Sequence, residues 1–586
     1  MDAPVGPTKL GKIVGFLFIV VCVVAAGYIF RKTLFPTRER PGTVAKPGPG
    51  VAKATLPTAA GQKEGPEAPD TEGVTTVKPP KEYLTARTLP PVKGVSNYKW
   101  DPAAKIVQFP INIWIGWLPI VAANHGFAPS KESTFFKNYG FQVNLKLIDD
   151  PVVARDSFAS GESHILWGTV DMMALFAPEL MKDSRTAPRI FQQIDWSSGG
   201  DGIVVRSSIA TVKDLKGKNI AYAQNSPSQY FLANLLIKAG IQPAEVRSKY
   251  TGTAFEAAAA FVADRSIDGC VSWAPDIYRI PEKVKGTRIL TTTAAANKVI
   301  ADTWAARADF VRDHADTVEG LVKGIFEGMR MLKNDVARGQ ALQWLADGYG
   351  MSVDEVKGMV NDAHITNFAE NKEFFLNPNS PVNFERTWKN INSTYVSLGL
   401  IGTPVRFDEV VDASVIRKLE EQKMFADEVG DVAMFPTAPP ADIRLRAEKI
   451  LTQTIRINFY PNSSNIYEPR HDDFGNAMPN TLYDPNADAT IEAVAKTAGM
   501  FARSVIEVIG HTDSSMKSRV PRDAVEKLSK DRANAVVDAL IKKYKFDPNK
   551  FLVRGMAWDE PFDRENPQNQ ALNRRVEISV YSPEEK

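Results

Sequence analysis

The sequence has few of the residues that build covalent or metal-centred sites. Its 586 residues include two cysteines, Cys22 in an apolar run and Cys270 far along the chain, and six scattered histidines. This excludes an intramolecular disulfide framework and a cysteine-based zinc or iron–sulfur site. The HExxH, Walker A, GxSxG and Rossmann glycine patterns are also missing. We therefore predict no catalytic residue, no metal ligand and no cofactor.

The chain also lacks an excess of charge of one sign, with a formal net charge of +2. Residues 1–98 carry 13 Lys and Arg against 7 Asp and Glu, residues 99–440 carry 36 against 40, and residues 441–586 carry 22 against 22. Without a strongly basic folded segment, nucleic-acid binding has no electrostatic basis. The length and the apolar content of 44% predict roughly two to four globular domains.

One long hydrophobic run stands out, at residues 13–30. These 18 residues are uncharged and are followed by Arg31 and Lys32. At about 1.5 Å per residue they make a helix of roughly 27 Å, close to the thickness of a hydrocarbon core. We expect a single transmembrane helix here. A cleaved signal peptide is the alternative, because the small residues at 24–26 imitate a cleavage site.

The segment after this run is rich in helix and strand breakers. Residues 36–98 include 11 Pro and 7 Gly in 63 positions, with few aromatic residues. Such a segment cannot bury enough apolar surface to offset the entropy of ordering it. We therefore predict a short cytoplasmic tail at 1–12, the transmembrane helix at 13–30 and a disordered linker at 31–98.

Strand and helix patterns alternate from residue 108 onward, which is typical of an α/β domain with a mostly parallel sheet. We predict strands at 109–115, 140–148, 165–167, 203–205, 219–222 and 269–271. We predict helices at 151–160 and 228–239. The fold class is therefore α/β.

Five passages of this domain resemble the nitrate/taurine type of periplasmic solute-binding proteins, which work with ABC importers. They read INIWIGW at 111–117, NHGF at 124–127, FASGE at 158–162, DLKGKNI at 214–220 and VSWAPD at 271–276. As an ordered set they cover residues 105 to about 335. The resemblance implies a two-lobed fold that closes on a small solute by hinge bending and performs no chemistry.

Polar and aromatic residues follow the predicted strands, where helix N-termini point free N–H groups at a ligand. The ligand-binding candidates are Trp117, Thr169, Asp171, Asp201, Ser226, Ser228, Trp273 and Asp276. Helix capping is the alternative for the hydroxyl residues and the aspartates, and core packing is the alternative for the tryptophans. Asp302 also lies near a strand end, and these junctions contain no arginine. We therefore expect a neutral or amine-bearing solute instead of an anion.

Four passages near the C-terminus resemble the peptidoglycan-binding domain of the outer-membrane-protein-A type. They read VIGHTD at 508–513, LSKDRA at 528–533, VRGMAW at 553–558 with Pro561, and NRRVEI at 573–578. In that family the aspartate of the first passage and the arginine of the second hold the diaminopimelate of the stem peptide. The resemblance implies these roles for Asp513 and Arg532. Diaminopimelate presents an ammonium and carboxylates, which suit one anion and one guanidinium.

The same passages supply Thr512, Asn573 and Arg574 as further peptidoglycan-binding candidates. For Asn573 and Arg574 the alternative is that they frame the last strand. Two positions depart from the family pattern, Val525 where Asn is usual and Gln570 where Arg is common. Both departures bear on affinity more than on fold. The polar stretch at 468–488 is predicted to be a surface loop.

Together these patterns predict a two-lobed α/β periplasmic-binding-protein fold at 99–434, a linker at 435–450 and a smaller α/β (α+β sandwich) OmpA-like domain at 451–586. The positive charges after the hydrophobic run would keep the long C-terminal part in the cytoplasm, but long domains translocate largely regardless of such charges. We expect a bacterial inner-membrane protein, single-pass, with its bulk in the periplasm. The expected partners are a small-molecule solute, the peptidoglycan stem peptide, the inner membrane and an ABC permease.

The expected role is solute capture or sensing at the cell wall, without enzymatic activity. One alternative is a stator-like or energy-coupling membrane partner, which needs an ionisable residue in the membrane; residues 13–30 have none. Another is an enzyme like the thiamine-precursor synthases related to the nitrate/taurine fold, which need an iron-binding, Cys-rich motif. The domain has Cys270 alone.

Overall fold

The computed structural model describes residues 74–85, 89–430 and 447–585. The predicted cytoplasmic tail, the predicted transmembrane helix and most of the predicted linker lie outside these ranges. Among the residues that are described, no helix is both long and apolar enough to cross a membrane.

Strands and helices alternate through the larger region, as the sequence predicts. Its strands are β1 (Ile106–Ile111), β2 (Gln142–Leu147), β3 (Ile165–Thr169), β4 (Pro188–Ser197), β5 (Asp201–Arg206), β6 (Asn219–Ala223), β7 (Arg247–Thr251), β8 (Gly269–Trp273), β9 (Thr287–Thr292), β10 (Ala301–Arg307) and β11 (Ala363–Ile365). Its helices are α1 (Leu118–Asn124), α2 (Thr134–Tyr139), α3 (Pro151–Ala159), α4 (Val170–Leu180), α5 (Pro227–Lys238), α6 (Ala254–Ala263), α7 (Asp276–Lys283), α8 (Ala308–Asp313), α9 (Ala315–Met331), α10 (Asp335–Tyr349), α11 (Val353–Gly358), α12 (Phe368–Phe375), α13 (Phe384–Ser397) and α14 (Ser414–Glu421).

These strands form two lobes. Lobe 1 holds the parallel pair β1–β2 and a sheet of order β11-β4-β10-β3, and lobe 2 holds a sheet of order β7-β6-β8-β5-β9. The pairs of β10 with β3 and β4, and of β5 with β8 and β9, are antiparallel. The prediction of a mostly parallel sheet is therefore wrong. Strand β4 carries the chain out of lobe 1 and β10 brings it back, so the two run in opposite directions.

Two short stretches, called connectors below, join the lobes: residues 198–200 between β4 and β5, and residues 293–300 between β9 and β10. Thr293 Oγ1 accepts hydrogen bonds from the backbone N–H of Gly199 at 2.9 Å and of Asp201 at 3.2 Å. Gly199 has a φ of +133°, a conformation that glycine adopts at little cost. The connectors thus hold each other, and they are the natural hinge of the two lobes.

Local chemistry sets the ends of the predicted elements. The Asp150 side chain accepts from the N–H groups of Val152 and Val153, and Pro151 occupies the first turn, so α3 starts where expected. Strand β1 ends at Ile111, earlier than the predicted residue 115. The reason is that Ile113 N–H bonds to Asp149 Oδ1 at 2.7 Å, which turns the chain toward a short 3₁₀ helix at Ile115–Trp117.

The C-terminal part of the predicted linker is folded against lobe 1. The fully buried Arg155 donates to the carbonyls of Pro90 and Pro91, and the fully buried Arg307 donates to that of Ser96. A buried guanidinium needs such acceptors, and an extended segment supplies them. The prediction of disorder is therefore wrong for residues 89–98.

The C-terminal region forms a separate sheet of order β12-β17-β15-β16. Its elements are β12 (Ala447–Ile455), β13 (Pro469–His471), β14 (Ala477–Leu482), α15 (Ala487–Met500), β15 (Val505–His511), α16 (Arg522–Tyr544), β16 (Phe551–Gly555), α17 (Gln570–Asn573) and β17 (Arg575–Glu585). Helix α16 packs against β15, β16 and α15. Strand β12 begins inside the predicted linker, and the predicted surface loop at 468–488 contains the hairpin β13–β14.

Candidate functional site

Five aspartates lie where lobe 1 meets the connectors, and we call them the carboxylate cluster: Asp171, Asp195, Asp201, Asp302 and Asp362. Each is at most 5% exposed. The sheet of lobe 1 brings them together, because Asp302 on β10 lies opposite Asp195 on β4 and opposite Thr169 at the end of β3. Asp201 starts β5 just beyond the first connector. All of them lie at the end of the sheet where the chain leaves for lobe 2.

Asp195 and Asp302 share a hydrogen bond, and the other hydrogen bonds to the cluster come from neutral groups. Trp114 Nε1 donates to Asp195 Oδ2 at 3.0 Å, Ser197 Oγ to Asp201 Oδ2 at 2.6 Å, and Tyr395 Oη to Asp171 Oδ2 at 3.0 Å. Within the described residues, none of the five carboxyls forms an ion pair with a lysine or arginine. The cluster therefore buries several acidic groups without a cation to balance them.

The electrostatic result is that the cluster retains protons near neutral pH. Burial raises the pKa of Asp171 to about 6 and that of Asp195 and Asp362 to about 7. Asp201 also rises to a pKa of about 7, through burial and the charge of Asp171. Burial, followed by Asp195 and Asp201, raises the pKa of Asp302 well above its usual range. A positively charged group entering the cluster would displace these protons and supply the missing charge.

Trp114 takes the aromatic position that the sequence assigns to Trp117. Trp117 is fully buried in lobe 1, and its indole donates to Asn112 Oδ1 at 2.7 Å, so Trp117 belongs to the core. Trp114 instead bonds to Asp195, and a Cβ on Gly116 would lie 1.7 Å from Asp195 Oδ2. Glycine at 116 is what lets this loop approach the cluster so closely.

The hydroxyl candidates have different surroundings. Thr169 caps α4, accepting from Met172 N–H at 3.4 Å, and also hydrogen-bonds to the Asp171 carboxyl. Ser226 Oγ donates to the carbonyl of Ala223 at 2.8 Å. Ser228 is fully buried near the start of α5, and its Oγ has no partner among the described residues. Capping explains Thr169 in part, and a local turn explains Ser226.

The two remaining candidates lie in lobe 2, at the end of β8. Trp273 is partly exposed and meets Phe255 edge-on at 5.4 Å between ring centroids. Asp276 is fully buried, because Thr76 from the N-terminal segment bonds to its carboxylate through N–H at 2.9 Å and through Oγ1 at 2.6 Å. Asp276 thus anchors the chain's own residues instead of joining the carboxylate cluster.

A second candidate site, the C-terminal pocket, has a volume of about 160 Å³. Its lining residues come from β15, α16, α17, β17 and neighbouring turns: Ile457, Asn458, Phe459, Tyr483, His511, Arg532, Gln570, Arg574 and Arg575. Arg532 lies over the Phe459 ring, 4.9 Å from its centroid, and donates to the carbonyl of Ser463 at 3.1 Å. The pocket is therefore rich in guanidinium groups held by packing.

Asp513 lies beside this pocket in an ion pair with Arg574, with Nε 2.5 Å from Oδ2. Burial opposes ionisation of Asp513, but hydrogen bonds from Ser515 and Arg574 keep its pKa below the usual range. Burial and the charge of Arg574 lower the pKa of Arg532 to about 10, while Asp513 acts in the opposite direction. An anionic ligand would relieve the repulsion between the two guanidinium groups.

The other C-terminal candidates differ in their roles. Asn573 is buried and bonds to the backbone of Asp563 and Asn566, so it frames the turn before β17. Thr512 has a buried Oγ1 without a partner among the described residues. Sequence reasoning missed His511 and Tyr483 as lining residues, although His511 lies within the passage at 508–513.

Comparison with known proteins adds family matches to this geometry. Residues 124–336 match the family model described as NMT1/THI5 like, and residues 480–575 match that of the OmpA family. The chain joins an NMT1/THI5-like solute-binding domain to an OmpA domain.

Two curated relatives and two solved structures illustrate these matches. Outer membrane protein Omp38 of Acinetobacter baumannii is 32% identical over 155 residues, 26% of this chain and 36% of that protein. The taurine-binding periplasmic protein of Escherichia coli is 26% identical over 203 residues, 34% of this chain and 60% of that protein. The aliphatic sulphonate binding protein SsuA of E. coli aligns with a TM-score of 0.39 at 18% identity, over 52% of this chain and 91% of SsuA. The nitrate-binding protein NrtA of Synechocystis aligns with a TM-score of 0.42 at 13% identity, over 56% and 91%.

Proposed function

We propose that this protein is a membrane-tethered periplasmic protein that captures a small solute between its two lobes and binds peptidoglycan through its OmpA domain, for ABC-type import or for sensing at the wall. The observation that carries the proposal is the C-terminal pocket. Asp513 offers an anion and Arg532 a guanidinium, the pair that the ammonium and carboxylates of diaminopimelate need. Thr512 and Arg574 are proposed as additional contacts, and Asn573 as a residue that positions the turn.

Binding to purified sacculi tests the wall-binding part. The full-length protein in detergent is expected to sediment with sacculi, and Asp513→Ala is expected to stay largely in the supernatant. Asp523→Ala is the matched control, since Asp523 is an exposed acid at the start of α16. Full retention of the Asp513→Ala variant would refute the role of this residue.

The carboxylate cluster supports an amine-bearing solute. Asp171, Asp195, Asp201 and Asp302 supply anionic oxygens, and Trp114 supplies an aromatic wall. An ammonium would pair with the carboxylate oxygens and stack on the indole of Trp114. The relative named for taurine binding fits this chemistry in part, since taurine carries an ammonium group besides its sulfonate. Thr169, Ser228 and Trp273 are proposed as further contacts.

A thermal-shift screen of the full-length protein against amines, vitamin precursors and oxyanions tests the solute class. Amines are expected to raise the melting temperature, because a ligand that binds only the folded state stabilises it. Asp201→Asn is expected to reduce that shift, and Asp473→Asn, at an exposed position in the hairpin turn, is the control. Stabilisation by oxyanions alone would contradict the proposed class.

The membrane tether and the ABC permease belong to the same proposal. They rest on the uncharged run at 13–30 and on the import systems associated with the solute-binding family. A reporter enzyme that works only in the periplasm is expected to be active when fused after Lys586, and one that works only in the cytoplasm is expected to be inactive there. Activity of a cytoplasmic reporter at that position would reverse the topology.

A further inference from the structure

The OmpA domain contacts the hinge between the two lobes. Residues 501–504, called the docking turn, join α15 to β15 and lie against both connectors. Arg503 Nη1 donates to Ser198 Oγ at 3.1 Å on the first connector. Ser504 Oγ donates to the carbonyl of Ala295 at 3.3 Å, and Lys298 N–H donates to the carbonyl of Met500 at 3.1 Å, both on the second connector. One turn therefore bridges the two stretches that must bend when the lobes part.

The docking turn is held in shape by a buried lysine. Lys550 Nζ donates to the carbonyls of Phe501 at 2.6 Å, Ala502 at 2.9 Å and Ser504 at 2.9 Å. Its side chain is 2% exposed, and the three bonds use all three ammonium protons. The turn is thus a rigid projection of the OmpA domain, suited to holding a neighbouring hinge in one geometry.

A second contact extends the interface along α15. A Cβ on Gly499 would lie 2.9 Å from Val382 Cγ1 and 3.0 Å from Pro381 Cγ, which places this helix directly on the loop before α13. Arg386 at the start of α13 pairs with Glu492 of α15, with Nε 3.4 Å from Oε1. Contacts on both the hinge and lobe 1 fix the OmpA domain's orientation as well as its position.

The C-terminal pocket lies at the other end of the strand that follows the docking turn. Strand β15 runs from Val505 to His511, which lines the pocket. Seven strand residues span about 23 Å. The pocket can therefore hold a wall peptide while the docking turn remains on the connectors.

We propose that the OmpA domain is a hinge brace, which in its docked position holds the two lobes closed over the carboxylate cluster. The cluster is buried in this state, so a solute reaches it only when the connectors bend. Bending moves Ser198 relative to Ala295 and breaks the bridge made by the docking turn. Docking and lobe closure therefore favour each other, and by linkage the coupling acts in both directions. This inference rests on the proposed function in that the lobes open and close around a solute.

Hydrogen exchange of the full-length protein, without solute and without sacculi, tests the brace. Gly499→Leu places a side chain against Pro381 and Val382 and separates the two domains. Gly339→Leu on α10 is the matched control, since a Cβ there meets no atom within 4 Å. We expect amides of both connectors and of Asp201 to exchange at least about tenfold faster in Gly499→Leu and at the wild-type rate in Gly339→Leu.

A charge reversal at the second contact gives an independent test. Arg386→Glu is expected to speed exchange at the connectors, and adding Glu492→Arg is expected to restore protection. Unchanged connector exchange in both Gly499→Leu and Arg386→Glu would overturn the brace. Sacculus binding by these variants reports separately on the proposed wall-binding function. Neither substitution lies in the pocket, so retained binding supports a pocket that works independently of docking and lost binding would contradict that independence, whereas the exchange data alone decide the brace.

Discussion

The carboxylate cluster at the connectors and the C-terminal pocket both bury ionisable groups, but of the two only the pocket has opposite charges paired beside it. In the cluster, burial raises the pKa of Asp201 to about 7. Beside the pocket, Arg574 and Ser515 hold the pKa of Asp513 below its usual range although burial opposes them. Buried acids in this chain are therefore stabilised in two ways, by retaining a proton or by pairing with a guanidinium.

An acid that retains its proton and an acid that is paired with a guanidinium suit different ligands. An unpaired acidic cluster gains free energy from an incoming cation, because the ligand supplies the charge that the protein lacks. A paired acid with neighbouring arginines suits a ligand that carries both charges. The positive end of the ligand can replace the arginine beside the acid, and its negative end can replace the acid beside the arginine. The comparison therefore predicts an amine for the cluster and a zwitterionic peptide for the pocket.

The largest expected effect concerns Arg532 in the pocket. Arg532→Ala removes the guanidinium over Phe459 and should lower retention on sacculi by about tenfold or more, equivalent to about 1.4 kcal/mol. Lys530→Ala, at an exposed position on the same helix, should bind as the wild type does. Equal retention of both variants would remove Arg532 from the site.

The next effect concerns the pH dependence of the cluster. Because the folded-state pKa of Asp201 is about 7 and its ordinary value is 3.8, its contribution to stability is fully present below pH 3.8 and is lost as the pH rises from there through 7. Asp201→Asn should therefore change the unfolding free energy little at pH 4 and raise it by about 1–2 kcal/mol at pH 8. Calorimetry of the full-length protein at both values measures this, with Asp473→Asn as the control. A destabilised variant at pH 8 would mean that Asp201 is paired after all.

The opposite sign is expected beside the pocket. Burial opposes ionisation of Glu577, yet His511 and Arg575 lower its pKa to about 2. Its stabilising contribution is present above the ordinary pKa of 4.5 and is lost as the pH falls toward 2. Glu577→Gln should lower the unfolding free energy by about 1 kcal/mol at pH 7 and by less at pH 3. Glu565→Gln, at an exposed position, should have no effect at either pH; a pH-independent loss in Glu577→Gln would point to packing instead of charge.

The smallest effect concerns Gln570, which lines the pocket where Arg is common in the family. Gln570→Arg should raise affinity for sacculi by about two- to fivefold, since an exposed guanidinium adds a modest charge interaction. Gln568→Arg, outside the pocket lining, is the control. A loss of binding in Gln570→Arg would indicate that repulsion with Arg574 dominates.

The sequence predicts the two domains through local motifs, and each of the six strands and two helices that it predicts overlaps an observed element. The same motifs lead to Arg532, which lines the C-terminal pocket, and to Asp513 beside it. The sequence does not predict the carboxylate cluster as a whole. Asp195 lies inside a buried strand and Asp362 in a turn before a three-residue strand, where sequence patterns give no sign of a site. Trp114 and Trp117 are three residues apart, and only the turn fixed by Ile113 and Asp149 decides which one meets the cluster.

The folded part of the linker is another feature that composition could not reveal. Residues 89–98 have the proline and glycine content of a disordered segment, yet they satisfy two buried arginines far along the chain, Arg155 and Arg307. Such long-range pairing depends on the tertiary fold. The docking turn on the connectors is equally non-local, since Arg503 and Ser198 are 305 positions apart.

Isothermal titration of the full-length protein with butylamine and with butanesulfonate, which share a chain length and differ in charge, determines whether the carboxylate cluster binds a cation. The unpaired carboxylate cluster predicts binding of butylamine that weakens as the pH falls from 8 to 5 and is lost in Asp201→Asn. Binding of butanesulfonate without binding of butylamine would show that the cluster does not select a cation.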